Sequence, residues 1–525
     1  MSRVLQHRRY HSAGASMYVW ALCSLIIVLH ASCQSNSDDE RPYPAAGAYG
    51  ELMGPGGPQR TFSSDELDKT CAWVSGGPDD KTQHHNLVTM YDGLMLMPWA
   101  PESSLYGGLT FFDVSDPCQP KVVGTKTTDV MRETHSVGFS EIDGSWAVVN
   151  HGEVILGSER PFEGGVLFWD VSDPSQPVEA GLVKFPDFAY PDAYAFVVLS
   201  VFWQGNYVYA AMADGGIYIV DATDPKEPKI ANRYLFDPIL RAGQVIAVGN
   251  TLIVTAAEQA RAVLLDITDP IHPKPIAGGD FVPVDSEGKP RKAYFSNLAA
   301  GHLFFTRKDN GGGLIVYDIR EPTKPTYVSD IRTDGKGGYV FMKDHYAVAG
   351  ESNHAVVFDI SDLTDIKELN RLTMPGDLDT ANPLGNIIVL SVDDKADLDN
   401  AAGSGIVPFL EEVDVKGPSV TWLHPSDGAT ELPTSTRFGL TISEPIEPKS
   451  AWTGSVRLYE SEKGAAKGRV DGAINTQDLV INFTPNKSLK PNTKYTLELP
   501  AGGIADPNGN ALEQTVKAEF TTGAL

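Results

Sequence analysis

One fourteen-residue unit recurs through most of this chain and limits what it can fold into more than any other feature. It reads G-G-V-L-F-W-D-V-S-D-P-S-Q-P from Gly164 to Pro177, G-G-L-T-F-F-D-V-S-D-P-C-Q-P from Gly107 to Pro120, and G-G-I-Y-I-V-D-A-T-D-P-K-E-P from Gly215 to Pro228. Looser copies start at Arg261, Gly313 and His354. The aspartates that end the apolar run are Asp113, Asp170, Asp221, Asp266, Asp318 and Asp359, spaced 57, 51, 45, 52 and 41 residues apart. Self-similarity at that period is the signature of a propeller or another repeat array.

Each period carries the same internal grammar. In the second, H-S-V-G-F-S, a turn at Ile142-Asp143-Gly144, S-W-A-V-V-N, a loop, G-V-L-F-W-D, the D-P-S-Q-P turn and V-E-A-G-L-V follow one another. Four short strands of β-branched and aromatic residues, punctuated by Gly, Asn, Asp and Pro, are expected. The first turn returns near Asp92, Gly205, Gly249, Gly301, Asp344 and Gly385, where most residues suit the positive φ of a tight hairpin. The glycine pair allows close packing of the third strand. The aspartate carboxylate can accept nearby backbone N–H groups, and proline fixes the turn.

These units resemble LVIVD repeats, a β-propeller repeat of exported bacterial and archaeal surface proteins, over residues 84 to 412. The expected fold is all-β: a seven-bladed propeller over residues 61–417, with six blades as the alternative, followed by an Ig-like β-sandwich over 418–525. The seventh blade is drawn from N-I-I-V-L-S-V-D-D and S-G-I-V-P-F-L, which lack the D-x-S-D-P turn. Residues 61–83, around Cys71-Ala72-Trp73-Val74, are expected to close the ring as an outer strand, since an open sheet edge needs covering. Beyond Pro418, alternating strands with turn signals about every ten residues read as a β-sandwich. The strings Pro425-Ser426-Asp427-Gly428, Phe483-Thr484-Pro485 and Asp506-Pro507-Asn508-Gly509-Asn510 resemble the bacterial Ig-like domain of surface-layer, SbsA-like type. That resemblance implies a spacer or adhesive module.

The N-terminus reads as an export signal. Arg3, Arg8 and Arg9 precede the apolar run Met17 to Leu29, and Ala31-Ser32 precede Cys33. Residues 1–33 resemble a lipoprotein signal whose Cys33 becomes lipidated, although His30 departs from the pattern; ordinary secretory cleavage is the alternative. In such lipoproteins Gln34 after the cysteine goes with the outer membrane. Residues 34–60, rich in Pro, Gly and small polar residues, are expected to form a disordered tether with a reach of about 30 Å. Cys71 and Cys118 are then the only cysteines of the folded part. An oxidising compartment permits a disulfide between them; two buried thiols are the alternative. The formal net charge of −26 repels phosphate backbones and disfavours nucleic acid as a partner.

Strand order sorts the loops onto two faces. The D-P turns lie on one; the starts of first strands and the loops between second and third strands lie on the other. That other face carries His84, His135, His151 and Glu153. Three imidazoles and a carboxylate suit a divalent metal, whereas no compact H-E-x-x-H spacing is present and hydrogen-bonded loop residues are the plainer account. No G-x-S-x-G elbow, P-loop or dinucleotide fingerprint occurs. The expectation is therefore a non-enzymatic platform at the cell envelope, anchored to the membrane by lipid, that binds protein or glycan, with no cofactor assigned and a divalent metal left open. The rivals are a metal-dependent hydrolase or lyase at the channel mouth and a purely structural envelope component.

Overall fold

A computed structural model describes residues 56–77, 83–84, 87–101, 106–131, 134–141, 145–152, 164–187, 197–309, 311–392 and 403–524. Among these the only regular element besides β-strand is a single 3-10 turn at Pro448–Ser450. Signal, lipidation site Cys33 and the tether as far as residue 55 lie outside the described residues, as does Glu153.

Seven antiparallel sheets make up the propeller, six built on a four-strand meander and the last on three consecutive strands joined by one from the start of the described chain. Their inner strands are Thr89–Tyr91, Val137–Glu141, Ser200–Gln204, Ala242–Val248, Ala293–Ala299, Val340–Lys343 and Thr380–Leu384, and each packs against the next around a central axis. This is a β-propeller, and we number the blades one to seven in that order. The third strands, such as Gly164–Asp170 and Gly107–Asp113, are buried on both faces except at their final aspartate. Sheets stacked on either side account for the continuous apolar runs in the repeat. Outer strands such as Lys121–Thr128 are mostly exposed, and their sequences are correspondingly polar.

The repeated residues have visible jobs. Asp113 Oδ1 accepts the N–H of Ser115, Asp170 that of Ser172, Asp221 that of Thr223, Asp266 that of Thr268, Asp318 that of Arg320 and Asp359 that of Ser361, at 2.7–3.1 Å. These local bonds end the strand and shape the D-P turn. The second glycine of the pair lets strands approach: a Cβ at Gly165 would lie 1.8 Å from the Val183 carbonyl oxygen, and one at Gly108 2.3 Å from that of Lys126.

The ring is closed by chain from the far end. The strand Ala72–Val74 pairs antiparallel with Ser404–Pro408, with Ala72 opposite Ile406 and Val74 opposite Ser404, so the first strand in sequence becomes the outer strand of blade seven. Cys71, one residue before it, forms a disulfide with Cys118 in the D-P turn of blade one, with Cα atoms 5.0 Å apart. The bond therefore bridges the seam at which the ring is joined.

The C-terminal region is a two-sheet sandwich. Val420–His424, Phe438–Ile442, Val480–Pro485 and Gly472–Gln477 form one sheet; Arg469–Val470, Arg457–Glu460, Lys494–Leu499 and Val516–Thr521 form the other. Phe438, Leu440, Ile481, Tyr495, Leu497 and Phe520 fill the space between them. Two expectations need correction here. The sandwich is not a distal spacer: its strand Gly472–Gln477 pairs with the inner strand of blade two, Asn475 opposite Ser140 and Thr476 opposite Phe139, making one eight-stranded sheet. Nor does the tether run to residue 60. Gly57 N–H bonds the Gly93 carbonyl and Gln59 N–H that of Ser115, while Asn508 Nδ2 bonds the Pro58 carbonyl, so the chain is packed from residue 56 onward.

The disulfide gives a direct test. Closing a loop with a sequence separation of 47 contributes about 4 kcal/mol in the chain-entropy model. Cys71→Ser with Cys118→Ser is expected to lower stability by about 2–4 kcal/mol, read by urea unfolding. Protection of the Cys71–Val74 amides from hydrogen exchange should fall before that of blades three to five.

Candidate functional site

The sandwich covers one face of the propeller, and the covered features are the hairpins between first and second strands. Their turns hold positive φ at Asp92, Gly93, Gly205, Gly249, Ala300, Gly301, Asp344 and Gly385. Tight turns of this kind leave N–H groups pointing off the end of the sheet. Blade after blade, the sandwich accepts them. Glu447 takes the N–H groups of Asp92 and Gly93, both at 2.9 Å. Asn475 Oδ1 takes that of Gly205 at 2.7 Å, and Asn482 Oδ1 that of Gly249 at 3.0 Å. Thr441 Oγ1 takes that of Ala300 and the Ser443 carbonyl that of Asp344. Asn482 also gives its Nδ2 to the Ala247 carbonyl and receives Gln204 Nε2. Glu447 and Asn482 are fully buried. Burial pushes the Glu447 carboxyl up, and the N–H groups of Gly93 and Asp92 pull it back.

Between blades six and seven the cover is held by charge. Lys343 Nζ, buried, lies 2.5 Å from both Asp414 and Glu444 and 3.2 Å from Asp344. Asp414, Glu444 and Asp506 bring carboxylate oxygens within 4.8 Å of one another, and among the described residues this is the one group with that geometry for a metal. The ammonium of Lys343 already supplies its positive charge. With three carboxylates on one ammonium, Lys343 is held charged, its pKa raised. Burial pushes Glu444 up to about 8 and Asp506 up to about 6.

The opposite face is the one expected to carry the histidines. His135 is buried there, its Nδ1 in hydrogen-bond contact with the Tyr339 hydroxyl and its ring 6.0 Å from that of Phe295. Phe295 and Tyr339 stack at 4.0 Å, so rings from the approach to blade two and from blades five and six meet at the channel. His84 pairs through its backbone with Ala100, and His151 with Gly165. The side chains of His84 and His151, and Glu153 as a whole, lie outside the described residues. Glu351, on the same rim, is fully buried. It accepts Gly313 N–H at 2.7 Å and the Thr333 hydroxyl, with His354 Nε2 at 3.4 Å. Gly312 and Gly335 close over it, each leaving 2.5 Å to a would-be Cβ, which makes it a staple inside blades five and six. Arg241, on the approach to blade four, and Asp214, between the second and third strands of blade three, are half-buried and form a two-point ion pair.

The cover residues Asn475, Asn482, Glu447 and Glu444 escaped the sequence reading, because they follow no period. The hairpin glycines they serve were visible.

Comparison with known families agrees with this architecture. A bacterial Ig-like domain model matches residues 414–522, and an LVIVD repeat model matches 162–184 and 198–235. The chain carries LVIVD repeats and a bacterial Ig-like domain. The LVIVD matches fall on the outer half of blade two and on blade three, and the Ig-like match begins at Asp414, a partner of Lys343. No curated protein matches the chain. Among solved structures, a Lactobacillus plantarum protein is 10% identical over 61% of this chain and 97% of its own, with a TM-score of 0.46. The Pseudomonas aeruginosa periplasmic gluconolactonase is 13% identical over 63% and 92%, at 0.43. BamB from Moraxella catarrhalis is 12% identical over 64% and 96%, at 0.40.

The Lys343 cluster sets a pH dependence. Glu444 holds its proton more tightly folded, at about 8, than its ordinary value of 4.5. Its contribution is therefore complete below about 4.5 and is lost as pH rises through about 8. Thermal melts are expected to show stability falling between about pH 4.5 and about pH 8, with Glu444→Gln flattening the fall. Lys343→Met, which strands the carboxylates, is expected to cost about 3–5 kcal/mol at neutral pH and less in acid.

Proposed function

We propose that this protein is an exported, lipid-anchored component of the cell envelope whose propeller is a non-enzymatic platform for a protein or glycan ligand, bound on the face away from the Ig-like domain. The observation that carries this reading is the cover itself. With the inner hairpins of blades one and three to six spent on the sandwich, the opposite face is left as the broad surface open to a partner, and broad loop-rich surfaces suit macromolecular recognition.

The outer membrane is the membrane we favour, from Gln34 beside the lipidation site.

Two measurements test this. Cys33→Ala is expected to move the protein from the membrane fraction to the soluble one; an unchanged distribution refutes the anchor. Envelope proteins or glycans captured by the full chain should be lost on Arg241→Glu, on the open face, and kept by Lys494→Glu, on the outer sheet of the sandwich. The reverse pattern would assign binding to the Ig-like domain.

A further inference from the structure

Lys343 ends the inner strand of blade six with two carboxylates against its amine. Asp414 Oδ2 and Glu444 Oε2 each lie 2.5 Å from Nζ, and the side chains of Lys343, Asp414 and Glu444 are 4%, 11% and 3% exposed. The two contacts differ in kind. Glu444 Oε2 accepts a hydrogen bond from Nζ, whereas Asp414 Oδ2, equally near, has no hydrogen-bond partner. Nitrogen and oxygen are in contact there without the alignment of a hydrogen bond. With a carbon–oxygen bond of about 1.2 Å, Cγ of Asp414 is no farther than about 3.7 Å from Nζ. Atoms poised to react are held about 3–3.5 Å apart.

The surroundings favour condensation. The space beside the three side chains is lined by Pro383, Leu384, Pro445 and Pro507 and has room for about one water molecule, so bulk water does not drive the reverse reaction. Joining amine and carboxyl also removes a buried cation and a buried anion, which are costly to keep away from water. Asp414, Glu444 and Asp506 bring carboxylate oxygens within 4.8 Å of one another, and like charges so crowded keep a proton among them. Burial settles it on Glu444, whose carboxyl is pushed up to about 8. Glu444 Oε1, buried and without a hydrogen-bond partner, is free to pass the proton on, while Oε2 is in place to receive one from Nζ. A group that relays protons must sit within hydrogen-bond reach of the atoms it serves, and Glu444 does.

We propose that Lys343 and Asp414 join in an intramolecular amide bond, formed without a co-reactant, with Glu444 as the catalytic residue. Glu444 gives its proton to the Asp414 carboxylate and takes one from the Lys343 ammonium. The amine attacks Cγ of Asp414 and the N–C bond forms. Glu444 then gives its proton to the departing hydroxyl and takes another from the nitrogen, the C–O bond breaks and water leaves. Ammonium and carboxylate have become amide and water, and Glu444 is protonated as it began. The bond encloses the three consecutive strands of blade seven, Thr380–Leu384, Ile387–Ser391 and Ser404–Pro408, in a covalent loop. It also pins the link between propeller and Ig-like domain to blade six.

The full chain and its Asp414→Ala variant are compared by intact mass after denaturation and reduction, and by tryptic peptide mapping. The parent is expected to fall short of its sequence mass by one water and to give a branched peptide that joins the segment of Lys343 to that of Asp414, uncut after Lys343. Asp414→Ala is expected at its full mass. A parent without the branched peptide overturns the bond, even where a water is lost, since a cyclic imide at Asp414 loses one too. Glu444→Gln, shown to be folded by a cooperative melt, is expected to remain unjoined; a folded Glu444→Gln joined as completely as the parent overturns the role of Glu444. Should that variant not fold, the branched peptide of the parent alone decides.

Discussion

The structure depends on what becomes of the N–H groups at the tips of the propeller's inner hairpins. Seven strand pairs converging on an axis put seven turns on one face, and a buried N–H without an acceptor costs about 1–3 kcal/mol. Glu447, Asn475, Asn482, Thr441 and the Ser443 carbonyl meet these groups in sequence around the ring. A domain that supplies acceptors to so many blades at once cannot leave without exposing all of them. The Ig-like domain is thus part of the propeller's core in energetic terms, although it is a separate module in sequence.

Two further devices hold the same assembly. The strand Gly472–Gln477 extends blade two by adding to the free edge of its inner strand, which removes an edge that would otherwise face the channel. Lys343, buried under Asp414, Glu444 and Asp344, fixes the opposite side of the ring. Burying those carboxylates with a single ammonium is a costly way to make contact, so this corner gives up strength in return for register. A surplus of acidic groups over one lysine there echoes the acidic balance of the chain as a whole.

The ring itself is closed by different means. Its blades stack through apolar third strands, while the seam between blades seven and one is joined by Ala72–Val74 and locked by Cys71–Cys118. Because Cys118 sits in the D-P turn of blade one, the disulfide draws on the most regular part of the repeat to secure the least regular blade.

By itself the sequence determined the local plan. The run from Gly164 to Pro177 announces a strand, its terminating Asp170 and its turn, because each of those outcomes is governed by residues within a few positions of one another. It also sorted the loops: the D-P turns share the covered face with the hairpins, as Ile267 N–H on Asn250 and Ile319 N–H on Gly301 show. What only the tertiary structure decided was the partnering of those hairpins. Asn482 meets Gly249 across 233 residues and Glu447 meets Gly93 across 354. An asparagine on an Ig strand carries no mark of the propeller turn it serves, since a hydrogen bond between domains leaves no period along the chain. The histidines illustrate the converse. His84 and His135 hold equivalent positions in the repeat, yet His135 is settled by Tyr339 and Phe295, residues that packing alone brings to its side.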